Sequence, residues 1–66
     1  MDKVTENDMI HASTLLAYDV LPHDRLIFDG AKRIVVKIDK GDGFVMITFR
    51  EGDGMIVSPN HVFYTV

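Results

Sequence analysis

Arg33-Ile-Val-Val-Lys-Ile-Asp-Lys-Gly-Asp-Gly-Phe-Val-Met-Ile-Thr-Phe49 is the stretch on which the fold turns. Two β-rich runs flank Asp39-Lys-Gly-Asp-Gly43, whose glycines can take positive φ, and this is the composition of a hairpin connection. Read with period two, Ile34, Val36 and Ile38 share one face of the first run, with Arg33, Val35 and Lys37 on the other. In the second run Val45, Ile47 and Phe49 alternate with Phe44, Met46, Thr48 and Arg50. One face of the hairpin is wholly apolar and has to be covered. The other mixes cations with Val35, Phe44 and Met46.

Turn signals punctuate the chain outward from this hairpin. Leu21-Pro-His-Asp24 is a turn, because Pro22 pushes Leu21 out of helical geometry and fits a turn's first corner. Arg25–Phe28 follows as a strand, closed by Asp29-Gly30, a strong tight-turn dipeptide. Beyond the hairpin come a Gly-rich turn at Glu51–Gly54, a short strand at Met55–Val57, a corner at Ser58–His61 and a final strand from Val62 to Val66. The stretch 9–20 reads two ways. Thr5 or Asn7 fits a helix cap, whereas Thr14, Tyr18 and Val20 favour an extended strand or arm near Met9–Ala12, followed by a turn from Ser13. The second reading is the expectation here. Residues 1–8 are polar and read as a flexible N-terminus, leaving residues 9–66 as one small domain.

Sixty-six residues build a thin core, since chains of this size bury only about 60% of their unfolded surface. There is no cysteine, hence no disulfide framework, and a reducing compartment fits. The N-terminus lacks the basic and apolar regions of a signal peptide, and no stretch reaches the roughly 20 apolar residues of a membrane span. The expectation is a cytoplasmic protein with no membrane partner. Seven Lys and Arg stand against ten Asp and Glu, a net charge of −3, which disfavours nucleic acid because that affinity comes mainly from cations at phosphates.

Short strands joined by tight turns predict an all-β fold, a small barrel of four to five antiparallel strands with a short N-terminal arm or helical turn. Ala17-Tyr-Asp-Val20, Asp24-Arg-Leu-Ile-Phe28, Gly43-Phe44, Gly54 and Pro59-Asn-His-Val62 run in the order of Src-homology-3 (SH3) landmarks. These resemble the ALYDY segment, the acidic turn and strand after it, the Gly-Trp step and the closing Pro-Ser-Asn-Tyr-Val. The resemblance covers about residues 17–66 and implies an SH3-like barrel. Val20, Phe44 and His61 stand where that family has the aromatics of its proline-reading groove, so the resemblance implies the barrel and not the ligand. Leu21-Pro-His-Asp24 through Phe49-Arg-Glu-Gly52 is also similar to short accessory proteins of actinobacterial phages and their hosts, a likeness that implies no defined activity.

Few residues invite chemistry. Asp39-Lys-Gly-Asp-Gly43, with Glu51 and Asp53 nearby, suggests calcium, but an EF-hand loop needs oxygen ligands at alternating positions and a glutamate at its twelfth. Counted from Asp39, the fifth position is Gly43 and the twelfth Arg50. His11, His23 and His61 have no zinc-like spacing. Ser13, Ser58 and the threonines lie in no nucleophile elbow or phosphate loop. Neither metal, cofactor nor catalysis is expected. The surface says more: Val35, Phe44, Met46 and Thr48 would form one outward patch rimmed by Arg33, Lys37 and Arg50, the build of an interaction site. The N-terminal arm, carrying Ile10, Leu15, Leu16 and Tyr18, is the alternative cover. The favoured function is a non-enzymatic protein-interaction module that binds a protein partner or itself through this face. The alternative is a nucleic-acid-binding barrel, in which Phe44 would stack bases beside Arg33, Lys37 and Arg50.

Overall fold

Turn chemistry sets the element boundaries in the computed structural model, which describes residues 2–66. In chain order these are β1 (Asp2–Lys3), α1 (Glu6–Ile10), β2 (Ser13–Leu16), a 3₁₀ turn (Ala17–Asp19), β3 (Arg25–Phe28), β4 (Ala31–Gly41), β5 (Phe44–Phe49), β6 (Gly54–Val57) and β7 (Val62–Thr65). Asp29 and Gly30 both have positive φ (52° and 75°), the requirement of a two-residue hairpin turn whose twist matches its strands. In Leu21–Asp24 the third residue, His23, has φ 77°, and Asp24 N–H donates to the Leu21 carbonyl at 3.1 Å. That is a type II turn with Pro22 at its first corner and a histidine where glycine is preferred.

The ladder order is β2-β7-β3-β4-β5-β6, every pairing antiparallel, with β1 beside the start of β4. The eleven-residue β4 belongs to two half-sheets. Its first part pairs with β3 from Phe28↔Ala31 to Arg25↔Ile34. Its second part pairs with β5, and between Val35 and Lys37 that register shifts by one residue. Val36 is the extra residue of a β-bulge, which bends a strand and reverses the phase of its side chains. Arg33 and Val35 point inward before the bulge and Ile38 after it. Val35 is fully buried and Val36 is 46% exposed.

This corrects the expected faces of the first run. Ile34 and Val36 were placed inside by unbroken alternation, and Val35 and Arg33 outside; the bulge inverts all four. Ile38, beyond the bulge, packs on the core as expected, and β5 follows its expected alternation throughout, with Val45, Ile47 and Phe49 buried. The half-sheets close over these residues together with Ala17, Val20, Leu26, Val35 and Phe63.

Residues 2–20 also depart from expectation. Met9–Ala12 is not a strand: Thr5 caps α1, its hydroxyl accepting from Asp8 N–H while the Asp8 carboxylate accepts from Thr5 N–H. This reciprocal box offsets the poor helix propensity of the segment. The strand comes later, at Ser13–Leu16, where the chain pairs with β7 from Ser13↔Thr65 to Leu16↔Val62. Within the polar run 1–8, Asp2 and Lys3 pair with Lys32 and Ala31, and Val4 N–H donates to the Gly30 carbonyl at 3.0 Å. Lys32 reaches from β4 to the Asp8 carboxylate of α1 at 3.1 Å.

The sheet is all-antiparallel but open. β2 and β6 end its main path, β1 is a further edge beside the start of β4, and no ladder joins β2 to β6 among the described residues. The 3₁₀ turn after β2 does meet the corner after β6: Tyr18 N–H donates to the Pro59 carbonyl at 3.1 Å, and Ala17 N–H to that of His61 at 2.8 Å. The Lys40 ammonium lies 4.3 Å above the Tyr18 ring, bringing the end of β4 to the same place.

The bulge makes two neighbouring valines unequal. Val35→Ala should cost about 2 kcal/mol, from lost burial plus a cavity. Val36→Ala should cost well under about 1 kcal/mol, as exposed substitutions do. Urea unfolding midpoints of the two variants check this; equal losses, or the larger loss at Val36, would mean the strand runs without the bulge.

Candidate functional site

The outer face of β4, β5 and β6 is set by register. Lys37 lies across from Thr48, Asp39 from Met46 and Gly41 from Phe44. On the other side of β5, Met46 lies across from Ile56 and Thr48 from Gly54. Met46 therefore sits mid-face between Asp39 and Ile56. Lys37 and Asp39, two residues apart on one face, approach to 3.6 Å.

Of the seven residues expected in the contact patch, five are on the surface of this half-sheet. Lys37, Phe44 and Arg50 are exposed, and Met46 and Thr48 are half-buried. Val35 and Arg33 are not part of it, because the bulge turns both into the core. The Phe44 ring folds over Gly41, so close that a side chain at 41 would collide with it. The residue that sequence reasoning missed is Ile56, 67% exposed and among the most exposed apolar side chains of the chain. Its signal was the short strand itself: with Met55 and Val57 packed against the core, alternation sends Ile56 out.

Between β5 and β6 this face is hollow. Met46, Thr48, Gly52, Gly54, Met55 and Ile56 line a groove of about 510 Å³. Gly54 lines it without a side chain. A Cβ there would stand 2.5 Å from the Ile47 carbonyl oxygen, so the position opposite Thr48 stays bare. The volume lies within the range of small-molecule sites, yet the lining offers no carboxylate, imidazole, amine or thiol, and Thr48 supplies the one hydroxyl. Such a surface can exclude water and receive an apolar group, and its side chains supply no acid or base.

The turn at the end of the groove is held from inside. Arg33, 8% exposed, lies with its guanidinium 4.1 Å from the centre of the Phe49 ring. It donates to Glu51 Oε1 at 3.0 Å and to Asp53 Oδ1. The hydrogen bond to Asp53, with Glu51 second, raises the Arg33 pKa against the opposing effect of burial. The same bonds hold the Glu51 and Asp53 carboxyls below their ordinary values. Asp8 is lowered too, first by the Thr5 backbone bond and then by Lys32.

Three of the four acids considered for calcium are otherwise engaged: Glu51 and Asp53 face Arg33, and Asp39 faces Lys37, while Asp42 is exposed in the turn. Among the described residues, no three His, Cys, Asp or Glu side chains are grouped so as to hold a metal ion. Among them, too, no helix is long and apolar enough to cross a membrane. No family model, curated protein or solved structure matches the chain.

A carboxyl whose folded pKa is depressed binds its proton more weakly in the folded state. Its stabilisation is present above the unfolded carboxylate pKa and is lost as pH falls through the lower folded value. For Glu51 and Asp53 the loss begins near pH 4, about the unfolded value, and continues below it. Unfolding midpoints should therefore fall from pH 6 to pH 3 more steeply in the wild type than in Arg33→Met, which has no partner for either acid. Equal falls in the two proteins would mean the ion cluster contributes nothing to folding.

Proposed function

We propose that this chain is a non-enzymatic protein-interaction module that docks through the outer face of β4, β5 and β6. The observation carrying this reading is the groove between Met46 and Ile56, mainly apolar and bare at Gly54. An apolar centre with a charged rim is the build of a docking surface, and Lys37, Asp39 and Arg50 supply that rim. The neighbouring acids support it as well. Arg33 pairs with one oxygen of each of Glu51 and Asp53 at the groove's end and offsets part of their charge there.

The finer frame we propose is an SH3-like one. It is supported by the meeting of the two segments that carry the resemblance, Ala17–Val20 and Pro59–Val62, through the hydrogen bonds of Ala17 and Tyr18. The sheet remains open, so the likeness concerns chain course rather than closure.

The face is tested by Phe44→Ser combined with Met46→Ser. Both side chains lie outside the core, so melting should shift by no more than a few degrees. Sedimentation and partner capture should lose the associations of the wild type. A folded variant that keeps them all would overturn the reading. Association with nucleic acid that weakens steeply with salt would replace it with the nucleic-acid alternative.

A further inference from the structure

The free edge of β6 borders the groove and carries both a protrusion and a recess on one face. Ile56 stands out from that face, and Gly54, two residues away, leaves it bare. The backbone adds a second requirement. Phe49 N–H donates to the Asp53 carbonyl at 2.8 Å, which makes that pair a hydrogen-bonded one. Antiparallel ladders alternate between hydrogen-bonded and open pairs. With the register Ile47↔Met55 and Met46↔Ile56, the backbone groups of Met55 and Val57 face β5, and those of Gly54 and Ile56 face outward at the edge.

An occupant must then be an extended strand that pairs with Gly54 and Ile56 and places an apolar side chain over Gly54. A second copy of β6 meets both conditions at once. Set antiparallel about a two-fold axis at Met55, it brings each Ile56 opposite the other copy's Gly54. Those residues then exchange their free N–H and C=O groups, and each Ile56 enters the other copy's groove beside Thr48. The mutual contact is the self-complementarity that a two-fold interface requires.

Charge does not oppose the pairing. The chain carries a net −3, but β6 has no charged residue, and Glu51 and Asp53 just before it share the one guanidinium of Arg33. The edge also lacks the lysine, proline or inward charge with which proteins block such pairing. We infer that β6 is a self-association edge, through which two copies of this chain form an antiparallel β6–β6 dimer locked by reciprocal insertion of Ile56 at Gly54. The inference rests on the proposed use of the outer face and names its partner.

Area sets the strength. Stable interfaces bury about 800 Å² per partner, a large share of this chain's 4419 Å². A four-residue ribbon with one inserted side chain per copy covers less, so the dimer is weak and dependent on concentration.

Sedimentation velocity of the full chain, from the low micromolar range to about 1 mM, should show a monomer passing to a dimer and no larger species. Ile56→Lys places a charge on the edge at an exposed position, so it should melt like the wild type and lose dimerisation at least about tenfold. Ile10→Lys changes an equally exposed apolar side chain on α1, away from this face, and should leave the dimer constant within about threefold. Gly54 and Ile56 amides should gain exchange protection on dimerisation. A wild type that stays monomeric throughout, or a dimer that survives Ile56→Lys, overturns the inference. If Phe44→Ser abolishes the dimer and Ile56→Lys does not, the copies meet face to face; the edge inference fails while the docking face stands. If neither variant weakens an observed dimer, both fail.

Discussion

At Val36 the strand β4 carries one residue more than its partner β5, and the bend this imposes is what the other contacts are built on. Upstream of it, Val35 uses its backbone toward the Pro22 turn: its N–H donates to the Asp24 carbonyl at 2.9 Å and its carbonyl accepts from His23 N–H at 2.8 Å. Its side chain meanwhile enters the core. Without the extra residue, Val35 and Ile38 would lie on opposite faces, and one half-sheet would present its polar side inward. A bulge of this kind lets a single long strand serve two layers, with no connection to build between them.

The same phase reversal explains the one buried cation among the described residues. Arg33 is two residues before Val35 and shares its inward face, so the bend delivers a guanidinium to the core margin. There the Phe49 ring, Glu51 and Asp53 receive it. A buried arginine is tolerable only when paired, and its pairing fixes the turn that leads into β6. From bulge to Arg33 to turn to β6, each placement depends on the one before. The groove and the free edge are the last links of that chain.

Much of this was legible in the residues. Asp29-Gly30, Pro22 and the glycines at 43 and 52 marked the turns because their backbone demands are local, and Gly43 and Gly52 do take positive φ. β5 was legible in full, since unbroken alternation from Phe44 to Phe49 has one solution. β4 was not. All six residues Arg33–Ile38 are β-formers or long cations that suit either face, and no glycine or proline betrays the bulge. The helix at Glu6–Ile10 was hidden for another reason: its cap is closed by aspartate, shorter than the glutamate or glutamine usual at that position. Ile56 was passed over because a four-residue strand shows only one outward side chain between its ends.

The absence of cysteine from this chain gives the bend a direct test. Val35→Cys, Val36→Cys and Ile38→Cys can each be made in an otherwise thiol-free background, and native-state reaction with a disulfide reagent then reports exposure residue by residue. The bulge predicts fast reaction at Val36→Cys and protection at both Val35→Cys and Ile38→Cys until the protein unfolds. Strict alternation, with Val36→Cys protected alongside Ile38→Cys and Val35→Cys reacting freely, would contradict the bend and everything placed by it.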